Sequence, residues 1–172
     1  MRTSLWVLAL CVIAGRSSSS PKTPANPTTD RVTLERTTCY GTCVPYSLTI
    51  DGDGAVVFDR RDSVGTHRTG TADPSHVRRL LAAIDSLGFF DLPSYSEGSA
   101  VCRRAFLTDQ SSATVTVAYK GRSDSVDHYL GCQAAPRVLW TVEAMIDSVG
   151  HSLHYLDNNP GGPYGATFMR AP

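Results

Sequence analysis

Four cysteines in the central part of the chain have the clearest chemical potential. They are Cys39, Cys43, Cys102 and Cys132. Four cysteines allow three pairings. We favour Cys39–Cys43, where Gly41 lets the chain fold back tightly, and Cys102–Cys132, which flanks a predicted hairpin. Closing the longer loop would stabilise the fold by about 3.5 kcal/mol, and closing the shorter one by about 2 kcal/mol.

The C-x-x-x-C spacing of Cys39 and Cys43 also suits a thiol–disulfide redox pair or a copper site. A reactive thiolate needs a nearby cation or a helix N-terminus. Arg36 is the one obvious local cation, and a strand pattern rather than a helix pattern follows Cys43. Copper would need further soft or imidazole ligands, and the histidines are scattered. We therefore predict structural disulfides and no metal or cofactor, with redox or copper handling as the alternative.

No motif of a hydrolase, a nucleotide-binding loop or a metalloprotease occurs in the chain. His128 shares a strand face with apolar residues, which favours a place in the core. The connection over residues 93–110 is long, and long connections often carry binding residues. We therefore predict a non-catalytic protein whose candidate binding residues are Tyr40, Gly41 and Tyr95.

The N-terminal residues are typical of an exported protein. Residues 1–15 combine Arg2 with an apolar run of ten residues, which is long enough for a signal peptide and too short to span a bilayer. Cys11 follows the Leu8-Ala9-Leu10 segment and gives an alternative, lipidation as in a bacterial lipoprotein. Residues 16–30 predict an extended Ser/Pro/Thr-rich linker, residues 31–156 one domain, and residues 157–172 a flexible tail.

Charge and composition argue against some classes of binding partner. The 172 residues contain 16 basic and 16 acidic side chains, and the first 16 residues hold two of the arginines and no acid. The remainder is therefore slightly acidic, which argues against nucleic acid and anionic membranes as partners. We expect a location in the periplasm, at the outer surface or outside the cell. The expected partner is an envelope protein, with membrane contact only through a lipid anchor.

Two segments repeat at an offset of 62 residues. Residues 74–88 and 136–150 both open with proline, close with glycine and share Ile-Asp-Ser in register. Both have apolar residues at helical spacing, so each predicts an amphipathic helix. Residues 46–58 and 113–130 read as hairpins ahead of these helices.

These elements predict an α+β fold made of a duplicated β-β-α unit, with halves at about 31–90 and 105–150. The sheet would be antiparallel, with four to six strands and both helices on one face. The other face would present short polar side chains, namely Ser47, Thr49, Asp51, Thr114 and Thr116. That face is either solvated or a docking surface for a protein.

The segment over residues 34–54 resembles the opening of a bacterial family of uncharacterised exported domains. That family is marked by E-R-x-x-C-[FY]-G-x-C-P-x-Y, followed by a strand and a G-x-G turn. This chain differs in one place, since Val44 separates Cys43 from Pro45. The resemblance extends over residues 31–150 and implies no known activity. It leaves a binding or structural module of the cell envelope as the leading hypothesis.

Overall fold

The strands of the domain follow the alternation of apolar and polar residues along the chain. A computed structural model describes residues 30–156. The strands are β1 (Arg31–Arg36), β2 (Tyr46–Asp51), β3 (Ala55–Arg60), β4 (His67–Thr71), β5 (Ser112–Tyr119) and β6 (Arg122–Tyr129). The helices are α1 (Pro74–Ser86), α2 (Arg137–Val149) and α3 (Ser152–Leu156), with 3-10 turns at Phe89–Asp91 and Cys102–Arg104.

All neighbouring strands pair antiparallel in one sheet with the order β4-β3-β2-β1-β5-β6. The first strand therefore lies inside the sheet, between β2 and β5. The antiparallel pairs that precede the two long helices are β3–β4 and β5–β6. The predicted α+β class, with four to six antiparallel strands, is confirmed.

The core lies between one face of the sheet and the two long helices. Val32 and Leu34 of β1 point into it, and both helices contribute an apolar stripe. The buried stripe of α1 is Val77, Leu80, Leu81 and Ile84, and that of α2 contains Leu139, Val142 and Ile146. The helices thus cover one face together, as the repeat predicts.

The two long helices cross the sheet in opposite directions. Helix α1 begins where Pro74 lies beside Gly54 of the β2–β3 turn, and near its end Asp85 pairs with Arg122 at the start of β6. Helix α2 begins over β6 and ends over β2, where Asp147 bonds Tyr46. A seam between the helices therefore runs across the sheet.

The opposite sheet face carries short hydroxyl side chains that bond across the strands. The Thr33 and Thr49 hydroxyl oxygens are 3.1 Å apart, and those of Thr116 and Ser125 are 3.0 Å apart. Ser47 belongs to this face but is only 8% exposed. These mutual hydrogen bonds satisfy the hydroxyl groups within the sheet.

Two elements were absent from the sequence prediction. Strand β4 is a polar edge strand, and α3 follows α2 and packs the Tyr155 ring on Phe58, with centroids 5.3 Å apart. Gly70 of β4 leaves room for the Tyr155 hydroxyl. The predicted signal peptide, Cys11, nearly all of the linker and the tail lie outside the described residues. Within residues 30–156, no helix is long and apolar enough to cross a membrane.

Candidate binding site

An ionic cluster, made of Arg36, Tyr46, His128, Glu143 and Asp147, is enclosed between α2 and the sheet. Arg36 and Tyr46 are cross-strand partners at the ends of β1 and β2. Glu143 and Asp147 are four residues apart on α2, so both carboxylates face the same region of the sheet. The end of β1, the start of β2 and one helix face together assemble the cluster.

The Arg36 guanidinium joins both carboxylates of the cluster. Its Nη1 donates to Glu143 Oε2 over 3.0 Å and its Nη2 donates to Asp147 Oδ2 over 2.9 Å. The Arg36 Nε donates to the Tyr46 hydroxyl over 2.9 Å, and that hydroxyl donates to Asp147 Oδ1 over 2.6 Å. Each guanidinium nitrogen and the Tyr46 hydroxyl therefore donates at least one charge-assisted bond.

The cluster changes the acid–base properties of two of its members. Burial alone lowers the pKa of the Arg36 guanidinium, but Tyr46, Asp147 and Glu143 outweigh it and raise that pKa above its usual value. Burial raises the pKa of the Tyr46 phenol, and Asp147 adds to this effect, while Arg36 opposes it. Arg36 therefore stays charged and Tyr46 stays neutral at physiological pH.

His128 is held by Glu143 and has no exposed surface. Its Nδ1 lies 2.5 Å from Glu143 Oε1. A carboxylate accepts hydrogen bonds, so Nδ1 carries the proton that is shared with it. The Nε2 atom is buried without a hydrogen-bond partner among the described residues. The Trp140 ring packs edge-on against the imidazole, with centroids 4.8 Å apart.

An imidazole that is oriented by a carboxylate is the arrangement of a general base. A base must reach the proton that it removes, and His128 is sealed from solvent by its surroundings. In this conformation the hydrogen-bonded pair of His128 and Glu143 fixes the position of α2 and of Trp140. The cluster is therefore a positioning element for the surface above it.

That surface is a groove along the seam of α1 and α2, which we call the helix groove. Its volume is about 1110 Å³, which is slightly above the range of about 300–1,000 Å³ that is usual for small-molecule sites. Its apolar lining includes Leu80, Ala83, Leu130, Trp140, Ala144 and Met145. The side chain of Trp140 is the large ring in this surface and is 41% exposed.

The charged residues of the helix groove are mainly basic. His76 and Arg79 of α1 lie on one wall, and Arg137 begins α2 on the other. Glu143 is the one acidic side chain in the lining; it is 2% exposed and already bonds Arg36 and His128. The groove therefore combines apolar walls with accessible positive charge.

A second cavity touches Arg36 from the side of the Cys39–Cys43 loop. It has a volume of about 50 Å³, and Cys43, Val44, Leu153 and Leu156 contribute to its lining. This volume is enough for a few water molecules at most. The helix groove is the larger of the two cavities and the better candidate for a ligand.

The domain that contains these features has relatives. A family model described as a domain of unknown function (DUF6438) matches residues 30–150. The chain belongs to this family. The predicted resemblance to an uncharacterised domain family is thereby confirmed, and the E-R-x-x-C motif itself stays a prediction. All residues of the ionic cluster and the helix groove lie inside the DUF6438 range. A comparison with curated proteins gives no significant match.

Both disulfides have the pairing that we favoured from the sequence. Cys39 is bonded to Cys43, and Cys102 is bonded to Cys132. No group of three or more His, Cys, Asp or Glu side chains that could hold a metal occurs within residues 30–156.

The predicted binding residues lie in different surroundings. Tyr40 is 90% exposed, and its backbone N–H donates to Asp109 O over 3.1 Å, so this loop lies beside the end of the long connection. Gly41 is exposed next to it. Tyr95 is half-buried and its backbone pairs with β6 beside His128. Tyr95 therefore belongs to the partly buried packing around Cys102.

Glu143, Asp147 and the helix groove were not predicted from the sequence. One signal was available, because Glu143 lies four residues after Leu139 and three before Ile146, within the apolar stripe of α2. A carboxylate in such a stripe needs a buried partner. The groove had no comparable signal, since it depends on how far apart two helices lie.

Proposed function

We propose that the chain is an exported cell-envelope domain that binds a ligand in the helix groove without covalent chemistry. The observation that supports this proposal most strongly is the groove itself, with its large apolar lining and its basic residues. The largest apolar pocket with a few convergent polar groups is the usual position of a binding site. Export is supported by the signal-peptide pattern of residues 1–15 and by two disulfides, which persist in oxidising compartments.

The ionic cluster supports the same proposal. A binding site works best when its walls are held in place by buried contacts rather than by loops. Glu143 anchors α2 to Arg36 of β1 and to His128 of β6, directly below Trp140. The groove is therefore preorganised by the sheet that supports it.

Photo-crosslinking in intact cells tests this proposal. A photoreactive residue at Ala144 lies in the groove, and the same residue at exposed Ala82 of α1 lies outside its lining. We expect a crosslinked product at position 144 that is absent at position 82, and mass analysis of that product identifies the ligand. No product at 144, or the same products at both positions, would contradict binding in the groove.

A redox or copper-handling role for Cys39 and Cys43 remains a second proposal, since their loop is exposed around Tyr40. Replacing both cysteines with serine separates the two roles. A structural disulfide over this short loop predicts a loss of about 2 kcal/mol of unfolding free energy. A redox or copper role predicts nearly unchanged stability, together with loss of thiol exchange or of copper binding. Denaturant unfolding and a copper titration of the same protein decide between them.

A further inference from the structure

We propose that the ligand of the helix groove is a single-chain anionic amphiphile such as a fatty-acid carboxylate. Its anionic group would lie at Arg79 and His76, and its alkyl chain would lie along the seam towards Trp140. This inference rests on the proposed function and names the class of molecule that the groove takes.

The charge of the groove favours an anion. Arg79 is exposed, and it has no ion pair or hydrogen bond with another side chain of residues 30–156. His76 lies three residues earlier on the same helix, so the two side chains are neighbours. The one acidic side chain of the lining, Glu143, is already bonded on both oxygens. Within the lining, an incoming anion therefore meets an available cation and no available carboxylate. The carboxylate near His76 is that of Asp73, which lies outside the lining and accepts from Ser75 N as the cap of α1.

The apolar lining favours an alkyl chain. Leu80 and Ala83 continue from Arg79 along α1, and Ala144, Met145 and Trp140 face them from α2. The small side chains of Ala83 and Ala144 keep the seam open between the larger residues. Burial of an alkyl chain against such walls contributes about 0.8 kcal/mol per CH₂ group.

The walls of the groove are less suited to an extended peptide. A peptide strand binds through backbone groups of a free sheet edge. The two long walls are helices, whose N–H and C=O groups are bonded within each helix except at the ends. The lining also includes the loop between β6 and α2, where the N–H groups of Leu130, Cys132, Gln133 and Ala135 all donate to backbone carbonyls of the domain. An alkyl chain needs no hydrogen bonds, so it fits walls that offer few.

Trp140 is a natural reporter for this ligand. The chain has two tryptophans, Trp6 and Trp140, so Trp6→Phe in the full chain leaves Trp140 as the sole signal. Dodecanoate, dodecanol and dodecyltrimethylammonium are titrated as monomers, below their micelle concentrations. We expect saturable fluorescence changes with dodecanoate and binding at least about tenfold weaker for the cationic amphiphile, because a charge-assisted hydrogen bond is worth about that factor.

Adjacent arginines on α1 give a matched pair of variants. Arg79 lines the groove, and Arg78 is exposed outside its lining. Arg79→Gln should raise the Kd for dodecanoate about tenfold and leave dodecanol unchanged, whereas Arg78→Gln should change neither. Equal affinity for the anionic and cationic amphiphiles, or an unchanged Kd in Arg79→Gln, would overturn the inference.

Further outcomes separate this inference from the proposed function of the groove. A crosslink from position 144 to a protein would overturn the ligand class and leave groove binding intact. A crosslinked product at position 144 in a protein that does not bind dodecanoate would have the same meaning. If position 144 gives no crosslinked product and dodecanoate does not bind, both the groove-binding proposal and the ligand class are overturned. Binding to anionic phospholipid vesicles but not to monomeric dodecanoate would mean that Arg79 meets a membrane surface, which also contradicts the single-chain ligand.

Discussion

The two long helices carry the same Ile-Asp-Ser sequence at an offset of 62 residues and yet attach to the sheet differently. Position 81 of α1 is leucine and lies in the apolar core, whereas the matching position 143 of α2 is a buried glutamate. Asp85 of α1 pairs with Arg122 at the surface. Its counterpart Asp147 pairs with Arg36 and Tyr46 inside the ionic cluster.

This difference shows that similar helix sequences can serve different purposes. Helix α1 is held by apolar burial, which has no direction, and by the surface pair of Asp85 with Arg122. Helix α2 is held by hydrogen bonds of fixed geometry in addition to its apolar stripe. We infer that the second helix fixes the geometry of the groove.

The largest expected effect comes from making α2 resemble α1. Glu143→Leu should lower the free energy of unfolding by about 3–5 kcal/mol, because it removes one of the two carboxylates that bond the buried Arg36 and leaves the buried His128 without its partner. On α1, Leu81→Met conserves volume and should cost less than about 1.5 kcal/mol. Urea unfolding measures both changes.

A combined variant keeps this prediction sharp. Replacing His128 with leucine in the Glu143→Leu background removes the imidazole that has lost its partner and keeps the Arg36–Asp147 pair, so it should recover part of the loss. Wild-type stability in Glu143→Leu alone would show that the cluster does not hold α2.

The two matched aspartates give a smaller difference. Asp147→Asn should cost about 1.5–3 kcal/mol, because the aspartate bonds Arg36 and Tyr46 in a partly buried site. Asp85→Asn removes a surface pair and should cost at most about 1 kcal/mol. Salt at about 1 M should abolish the destabilisation by Asp85→Asn and leave most of the destabilisation by Asp147→Asn. Equal costs for both variants would break the comparison between the helices.

The smallest effect is a pH dependence at Tyr46. Its pKa is raised in the folded protein by burial, so its contribution is complete below the unfolded pKa of about 10 and is lost as pH rises above that value. We expect wild type to lose about 1 kcal/mol more than Tyr46→Phe between pH 9 and about pH 11. Tyr40→Phe, at an exposed ring, should behave as wild type. Parallel pH profiles for all three proteins would contradict a buried phenol.

Much of the fold was predictable because local patterns determine it. Strands β2 and β3 alternate around a turn, and α1 and α2 have apolar stripes between proline and glycine. Strand β4 was not predictable, since His67-Arg68-Thr69-Gly70-Thr71 has no large apolar side chain and forms a mostly exposed edge.

The site was less predictable than the fold. Disulfide pairing was predictable, because Cys39 and Cys43 are close in sequence and Cys102 and Cys132 flank a predicted hairpin. The ionic cluster, in contrast, joins Arg36 to residues more than 100 positions later. No local spacing encodes such contacts. The groove depends on the separation of two helices, which the sheet beneath them fixes.

Native mass spectrometry of the protein, purified from the cells that naturally produce it, tests the central claim most directly. The claim is that the helix groove holds a ligand. Wild type and Ala82→Trp should both retain a bound mass, while Ala144→Trp, which fills the groove, should lose it with its fold intact by circular dichroism. A ligand-free wild type, or the same bound mass in all three proteins, would contradict the claim.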